Sequence, residues 1–191
     1  MSVRAKEKLK LYFIAIIPPS PGYEEVMRIK NYFKEQYNSK AALNSPPHIT
    51  LHMPFRWNEE KENKLVDSLQ SFVQGLRPFA IQLENFSSFP PKVIFMNVVK
   101  SEALERLQKE LQRFCKRALN LFNADYKDLP FHAHLTLAFR DLKKANYQKA
   151  WEEFSQREYH ADFNVDKVVL LKHNGKVWQV FREFNLDSTS S

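Results

Sequence analysis

His48-Ile49-Thr50-Leu51-His52-Met53-Pro54-Phe55 alternates polar and apolar residues, and Phe131-His132-Ala133-His134-Leu135-Thr136-Leu137-Ala138-Phe139 does so again. Side chains on a strand point to opposite faces in turn. The first stretch therefore reads as a strand with His48, Thr50 and His52 on one face and Ile49, Leu51, Met53 and Phe55 on the other. In the second, His132, His134 and Thr136 share a face, against Phe131, Ala133, Leu135, Leu137 and Phe139. Both apolar faces belong against a core. Both His/Thr faces are then left looking outward or into a cleft.

The common element is His-x-Thr-Leu, at His48 and again 86 residues later at His134. Six histidines and three threonines in 191 residues would give roughly 0.09 H-x-T triplets by chance, so finding two is roughly a one-in-250 event. The duplication is a signal that a lone short motif is not.

Working outward, Leu11–Ile17 reads as a first buried strand. Ser20-Pro21 predicts an N-cap followed by proline in the first helical turn, with Val26, Ile29, Phe33 and Tyr37 at helical spacing behind it. Asn58 caps a second helix, with Glu59 and Glu60 in its first turn and Leu65, Leu69, Phe72 and Leu76 as its stripe. Phe79–Phe86 and Val93–Val99 read as strands joined through Pro90-Pro91. Ser101 precedes the clearest helix, with Leu104, Leu107, Leu111, Phe114, Ala118 and Phe122 on one face. A loop through Asp125–Pro130 feeds the second motif strand. A short helix at Tyr147–Phe154 follows, then Ala161–His173 and Val177–Leu186 as a hairpin turning at Asn174-Gly175. Asp187–Ser191 reads as a disordered polar tail. Strands and helices in alternation, with meander-like pairs between them, predict a mixed α+β fold.

The chain has 191 residues, 29 of them Lys or Arg against 22 Asp or Glu, for a formal charge of +7. That length fits one domain or two small lobes on a shared core, and the charge favours anionic partners. With Gly22, Gly75 and Gly175 as the only glycines, neither a G-x-G-x-x-G turn nor a P-loop can be written. Enzymes that cradle nucleotide phosphates on glycine loops are excluded. The single cysteine, Cys115, cannot form an internal disulfide; it reads as inert packing in a reducing cytoplasm. Arg4, Lys6, Lys8 and Lys10 before Leu11–Ile17 mimic a signal peptide, but the run holds Tyr12 and Phe13 and ends in Pro18-Pro19-Ser20-Pro21. A strand fits better. Nothing approaches the ~18 apolar residues of a membrane span.

Residues i and i+2 of a strand lie ~6.5 Å apart on one face, so an imidazole and a hydroxyl can address one phosphate-sized group. In-line displacement at phosphorus needs a base behind the attacking oxygen and an acid beside the leaving one. Histidine suits both roles because its ordinary pKa of ~6.5 keeps both forms accessible near neutrality. Threonine hydroxyls can donate to the non-bridging oxygens. This chemistry requires no metal. Plainer readings compete: structural histidines, a nucleotide or RNA binder without catalysis, or a His-based metal site. For the last, His132 and His134 can chelate, but His48 and His52 stand ~13 Å apart on an extended strand, and neither motif has an acid or cysteine nearby. His52 and His132 line the cleft or hydrogen-bond locally, with His132 a candidate for substrate contact. Arg56 can meet a phosphate and Trp57 or Phe55 can stack a base, although Phe55 sits on the apolar face and fits the core.

The two motifs resemble the signature of the 2H phosphoesterase superfamily, in particular its 2′-5′ RNA ligase-like branch. The likeness runs from about Lys10 to Leu186, through Leu11-Tyr-Phe-Ile-Ala-Ile, Phe89-Pro90-Pro91 before Val93-Ile-Phe-Met, and Phe131-His-Ala-His-Leu-Thr-Leu-Ala. It implies a bilobal domain over residues 1–186, with two pseudo-symmetric lobes of antiparallel-rich sheet, helices outside, and the motifs facing each other across a central groove. It implies cleavage of 2′,3′-cyclic or related phosphodiesters, or reversible 2′-5′ joining, on RNA ends or cyclic-phosphate nucleotides. A cofactor-free, metal-independent monomer is expected. By position, His48 and His134 would be the acid/base pair and Thr50 and Thr136 the phosphate clamps, with His134 activating water and His48 protonating the leaving oxygen.

Overall fold

The computed structural model describes residues 8–122 and 130–187. In chain order these form β1 (Leu9–Ile16), α1 (Gly22–Tyr37), β2 (Ile49–Asn58), α2 (Glu62–Val73), β3 (Phe79–Phe89), β4 (Val93–Val98) and α3 (Glu102–Leu119). β5 (His134–Ala138), α4 (Lys144–Phe154), β6 (His160–Val165), β7 (Lys167–His173) and β8 (Trp178–Asn185) follow. The strands make one sheet in the order β6-β3-β4-β5-β2-β1-β7-β8, and its pairings are antiparallel throughout.

The order is symmetric about the seam between β5 and β2. Two strand–helix units, β1-α1-β2-α2 and β4-α3-β5-α4, each place a motif strand at that seam. The helices cross over, since α1 packs against β5 and α3 against β2. Each motif strand is thus backed by a helix of the opposite unit. The main core lies on this helix-covered face, with Ile49, Leu51, Leu135 and Leu137 among its buried residues. The other face carries a smaller cluster of Phe13, Ala15, Val169 and Leu171.

Local chemistry explains most of the boundaries. Ser101 accepts a hydrogen bond from the Leu104 N–H and caps α3. Asn58 accepts from the Glu60 N–H ahead of α2. Asn174 accepts from the N–H groups of Lys176 and Val177, and Gly175 takes a φ of +101°, closing the β7–β8 hairpin. Four expectations need correction. Helix α1 begins at Gly22, one residue late for Ser20 to cap it, and the Ser20 hydroxyl donates to Glu24 instead. The buried stripe of α3 is Leu104, Leu107, Gln108, Leu111, Cys115 and Leu119. Phe114, as expected, packs at its edge on the core and on Phe72, whereas Ala118 is exposed and Phe122 lies beyond the end of α3 and is 63% exposed. The run Ala161–His173 is two strands: β6 pairs with β3 at one edge and β7 with β1 beyond the seam. Finally, Asp187 is anchored, its carboxylate accepting from the Gly75 N–H and its own N–H donating to the Leu76 carbonyl. The rest of the expected tail, 188–191, lies outside the described residues, as does most of the 125–130 loop. No helix among the described residues is long and apolar enough to cross a membrane.

Candidate active site

Where the two motif strands meet, Ile49 pairs with Leu135. One step either way in antiparallel register sets His48 across from Thr136 and Thr50 across from His134. The four side chains share the face opposite to that of Ile49 and Leu135, which are fully buried in the main core. Histidines and threonines thus alternate around a square, each kind on a diagonal. Opposite Cβ atoms of such pairs lie about 4.5–5.5 Å apart and i, i+2 neighbours about 6.5 Å. These spacings are on the scale of a tetrahedral phosphoryl group.

The two imidazoles are held alike. His48 Nδ1 lies 2.8 Å from the Pro46 carbonyl and His134 Nδ1 lies 2.8 Å from the His132 carbonyl. A carbonyl only accepts, so Nδ1 carries the hydrogen in both rings and Nε2 keeps its lone pair. Both groups are held below the ordinary histidine pKa. Burial is the main cause for His48, pushed down to about 4, with the Lys30 ammonium and His134 adding to it and the Pro46 carbonyl opposing. His134 is lowered by burial and secondarily by His132, while its carbonyl partner again opposes. Both rings are therefore neutral in the free protein near neutrality.

Aromatic rings flank the square on both sides. On one, Phe13 lies 4.8 Å from the His48 ring and 4.6 Å from Trp178, which meets His173 at 4.9 Å. On the other, Phe95 lies 5.0 Å from His134, with Phe89 at 4.5 Å from Phe95 and 5.4 Å from His134. Phe89 is 41% exposed. The His132 ring stands 5.3 Å from Phe89 and 6.1 Å from His134. A separate cleft of about 250 Å³ lies beside His132, lined also by Asn97, Lys100 and Ser101 and by the acidic Glu84 and Glu105.

Not every candidate joins the site. His52, expected on the cleft face, is 1% exposed. The register of β2 against β1 slips once between Thr50 and His52 and again before Phe55; the first bulge turns His52 inward, where its ring meets Phe55 edge-on. Its Nδ1 bonds the Met53 carbonyl, and Nε2 has no partner. Arg56 is exposed and pairs with Leu11 eight residues beyond His48, at most roughly 26 Å along the strand. Phe55 is core, stacked on Tyr12. Trp57 is not free to stack a base, because its indole N–H donates to the Lys61 carbonyl and its ring packs on the main core. Among the described residues, no group of three His, Cys, Asp or Glu side chains could hold a metal ion. Cys115 is fully buried, and burial pushes its thiol up to about 12.

The family model described as the 2′-5′ RNA ligase superfamily matches residues 18–177. The chain belongs to this superfamily. Among its relatives is a Geobacillus kaustophilus protein named as a phosphoesterase, 32% identical over 91% of this chain and 94% of that one. A second such protein, from a Geobacillus strain, is 30% identical over the same shares. Solved structures share the fold: Escherichia coli LigT complexed with 3′-AMP (TM-score 0.69, 19% identity, 95% of this chain and 100% of that one) and TT0787 of Thermus thermophilus (0.64, 19%, 94% and 99%). The superfamily's curled antiparallel sheet with four helices is the architecture described above.

For a member of this superfamily, sequence reasoning missed the aromatic walls and Lys30. Phe13 was hidden inside an apolar run buried on both faces, which has no alternation to read. Trp178 and Phe89 come from strands whose neighbours only the sheet order reveals.

Proposed function

We propose that the chain is a 2H phosphoesterase that opens 2′,3′-cyclic phosphates of RNA ends or nucleotides with His48 and His134, and with no metal. The observation that carries this reading is the matched pair of Nδ1–H···O=C bonds, which leaves two Nε2 lone pairs at diagonal corners of the His/Thr square. Displacement in line needs a base and an acid on opposite sides of phosphorus. The Thr50 and Thr136 hydroxyls, on the other diagonal, donate to the non-bridging oxygens and orient the group.

A bound diester's negative charge raises both imidazoles, and one proton shared by the pair supplies acid and base together. That proton belongs on His134, because His48 also faces the Lys30 ammonium. His48 then takes the proton from water as its oxygen attacks phosphorus. One ring P–O bond breaks, and His134 protonates the departing oxygen to give a phosphomonoester. Solvent returns the proton from His48 to His134. This direction is the reverse of the one the family resemblance implied. Bound nucleotide and phosphate in the LigT structures agree with a phosphate-centred site here, and joining of 2′-5′ ends is the same exchange at phosphorus with an RNA hydroxyl in place of water. Turnover of 2′,3′-cyclic mononucleotides by the purified chain, with and without EDTA, is the test. His48→Ala and His134→Ala should each remove it while leaving a folded protein, and EDTA should change nothing. Full turnover in either variant would refute the assignment.

A further inference from the structure

Lys30 sits within the buried stripe of α1, between Val26 and Phe33, and is 1% exposed. An ammonium buried there is costly unless its hydrogens are satisfied. No carboxylate pairs with it among the described residues. Its Nζ donates to the carbonyls of Ala42 (3.0 Å) and Ser45 (3.1 Å). Those carbonyls close a single 3₁₀ turn, Ala41–Asn44, in the segment that carries the chain from α1 into His48. The opposite end of the same turn is held by Asp141, just beyond β5. Its carboxylate accepts from the Ser39 hydroxyl (2.8 Å) and from the N–H groups of Lys40 (2.9 Å) and Ala41 (3.0 Å). A short turn leaves N–H groups unpaired at its start and carbonyls at its end. Here a carboxylate meets the first and an ammonium the second, each matching the sign of the turn's dipole.

We propose that Lys30 and Asp141 are positioning residues that clamp the Ser39–Pro47 segment, so that the Pro46 carbonyl fixes the tautomer and aim of His48. The clamp also joins the two motif strands, since Asp141 follows β5 and the segment leads into β2. Its consequence is one-sided. His134 takes its orienting carbonyl from His132, two residues before it, and no comparable strap is seen among the described residues. Lys30 acts on His48 through the field of its charge as well. The charged or titratable groups facing His48 are Lys30 and His134, and burial brings the Lys30 ammonium itself down to about 7.

The inference rests on His48 being part of the catalytic pair, and the experiment separates the two claims. With a 2′,3′-cyclic mononucleotide as substrate, Lys30→Met should lower kcat by about 10²-fold, the scale of a 1 Å misplacement, with KM within about twofold. Lys30→Arg, which keeps a cation and donors but in a bulkier planar fork, should recover part of that loss. Imidazole ¹⁵N spectra should show one His48 tautomer in the wild type and a mixture in Lys30→Met, and the acid limb of kcat/KM should move to higher pH. A folded Lys30→Met with wild-type kcat, pH profile and a single tautomer overturns the clamp. If Lys30→Met does not fold, Asp141→Asn decides: it should reduce kcat with KM unchanged and loosen the same tautomer, and an unchanged enzyme overturns the proposal. Activity surviving in His48→Ala would instead defeat the reading of the site, while the tautomer measurement would still report on the clamp.

Discussion

The two halves of the site use one motif in two settings. Each histidine bonds a carbonyl two residues back at 2.8 Å and stands across from the other half's threonine. Each has a phenylalanine from the adjacent strand beside it, Phe13 at 4.8 Å and Phe95 at 5.0 Å. The supports differ. His48 emerges from a strap pinned by Lys30 and Asp141, whereas His134 follows an exposed residue, His132, and an open cleft. Duplication explains why there are two imidazoles. On the reading proposed here, divergence makes identical groups a base and an acid: the cation beside His48 makes it the first to give up its proton.

The largest effect expected from breaking the comparison is on turnover. Each proton transfer contributes about 10²–10⁴-fold, so His48→Ala and His134→Ala should each cost on that scale. The double variant should be little worse than either, because the two act as a unit. Single-turnover rates for the three variants check this; losses that multiply would mean that the rings act independently.

Next come the threonines. Removing one preorganised donor to a transition-state oxygen costs about 10²-fold, and the symmetry of the square predicts similar falls in kcat for Thr50→Val and Thr136→Val. A loss confined to one of them would show that the phosphoryl group sits towards one lobe. The aromatic walls should matter less and act on binding. Base stacking is worth about 1–3 kcal/mol, so whichever of Trp178→Ala and Phe89→Ala removes the platform should raise KM about tenfold with kcat nearly constant. KM values for the four cyclic mononucleotides would assign the base to the His48 side or the His134 side.

Much of this was legible in the residues. His48, Thr50, His134 and Thr136 lie on clean alternations, and apolar partners such as Ile49 and Leu135 had one place to go. What alternation cannot carry is a bulge. His52 keeps the sequence period yet points inward, because one extra residue in β2 between Thr50 and His52 flips the face and a second, before Phe55, flips it back. Nor could spacing show that the chain crosses from one edge of the sheet to the other side of the seam at Asp166, whose carbonyl accepts from the Leu186 N–H. The four apolar or aromatic residues Val26, Ile29, Phe33 and Tyr37 defined the α1 stripe, and their spacing did not single out Lys30. Only the carbonyls of Ala42 and Ser45, twelve and fifteen residues away, give Lys30 its reason to be buried.

The smallest effect is on stability, and it sharpens the contrast most directly. A histidine whose folded pKa is depressed binds fewer protons folded than unfolded. Stability linked to it is then present above the ordinary value of ~6.5 and lost as pH falls. For His48, held at about 4, the loss runs from roughly 6.5 down to 4. His52 and His134 are also lowered by burial and add to the same slope, so Tm should rise from pH 4.5 to pH 6.5. His48→Asn, which cannot titrate, should flatten that rise more than His134→Asn, because His48 is lowered first by burial and then by the Lys30 cation and His134, whereas beside burial His134 faces only His132. Inorganic phosphate should oppose the trend, since its charge favours the protonated rings and so stabilises the protein more at pH 5 than at pH 7. Equal slopes in both asparagine variants would mean that Lys30 contributes nothing to the difference between the halves, whatever it does to the strap.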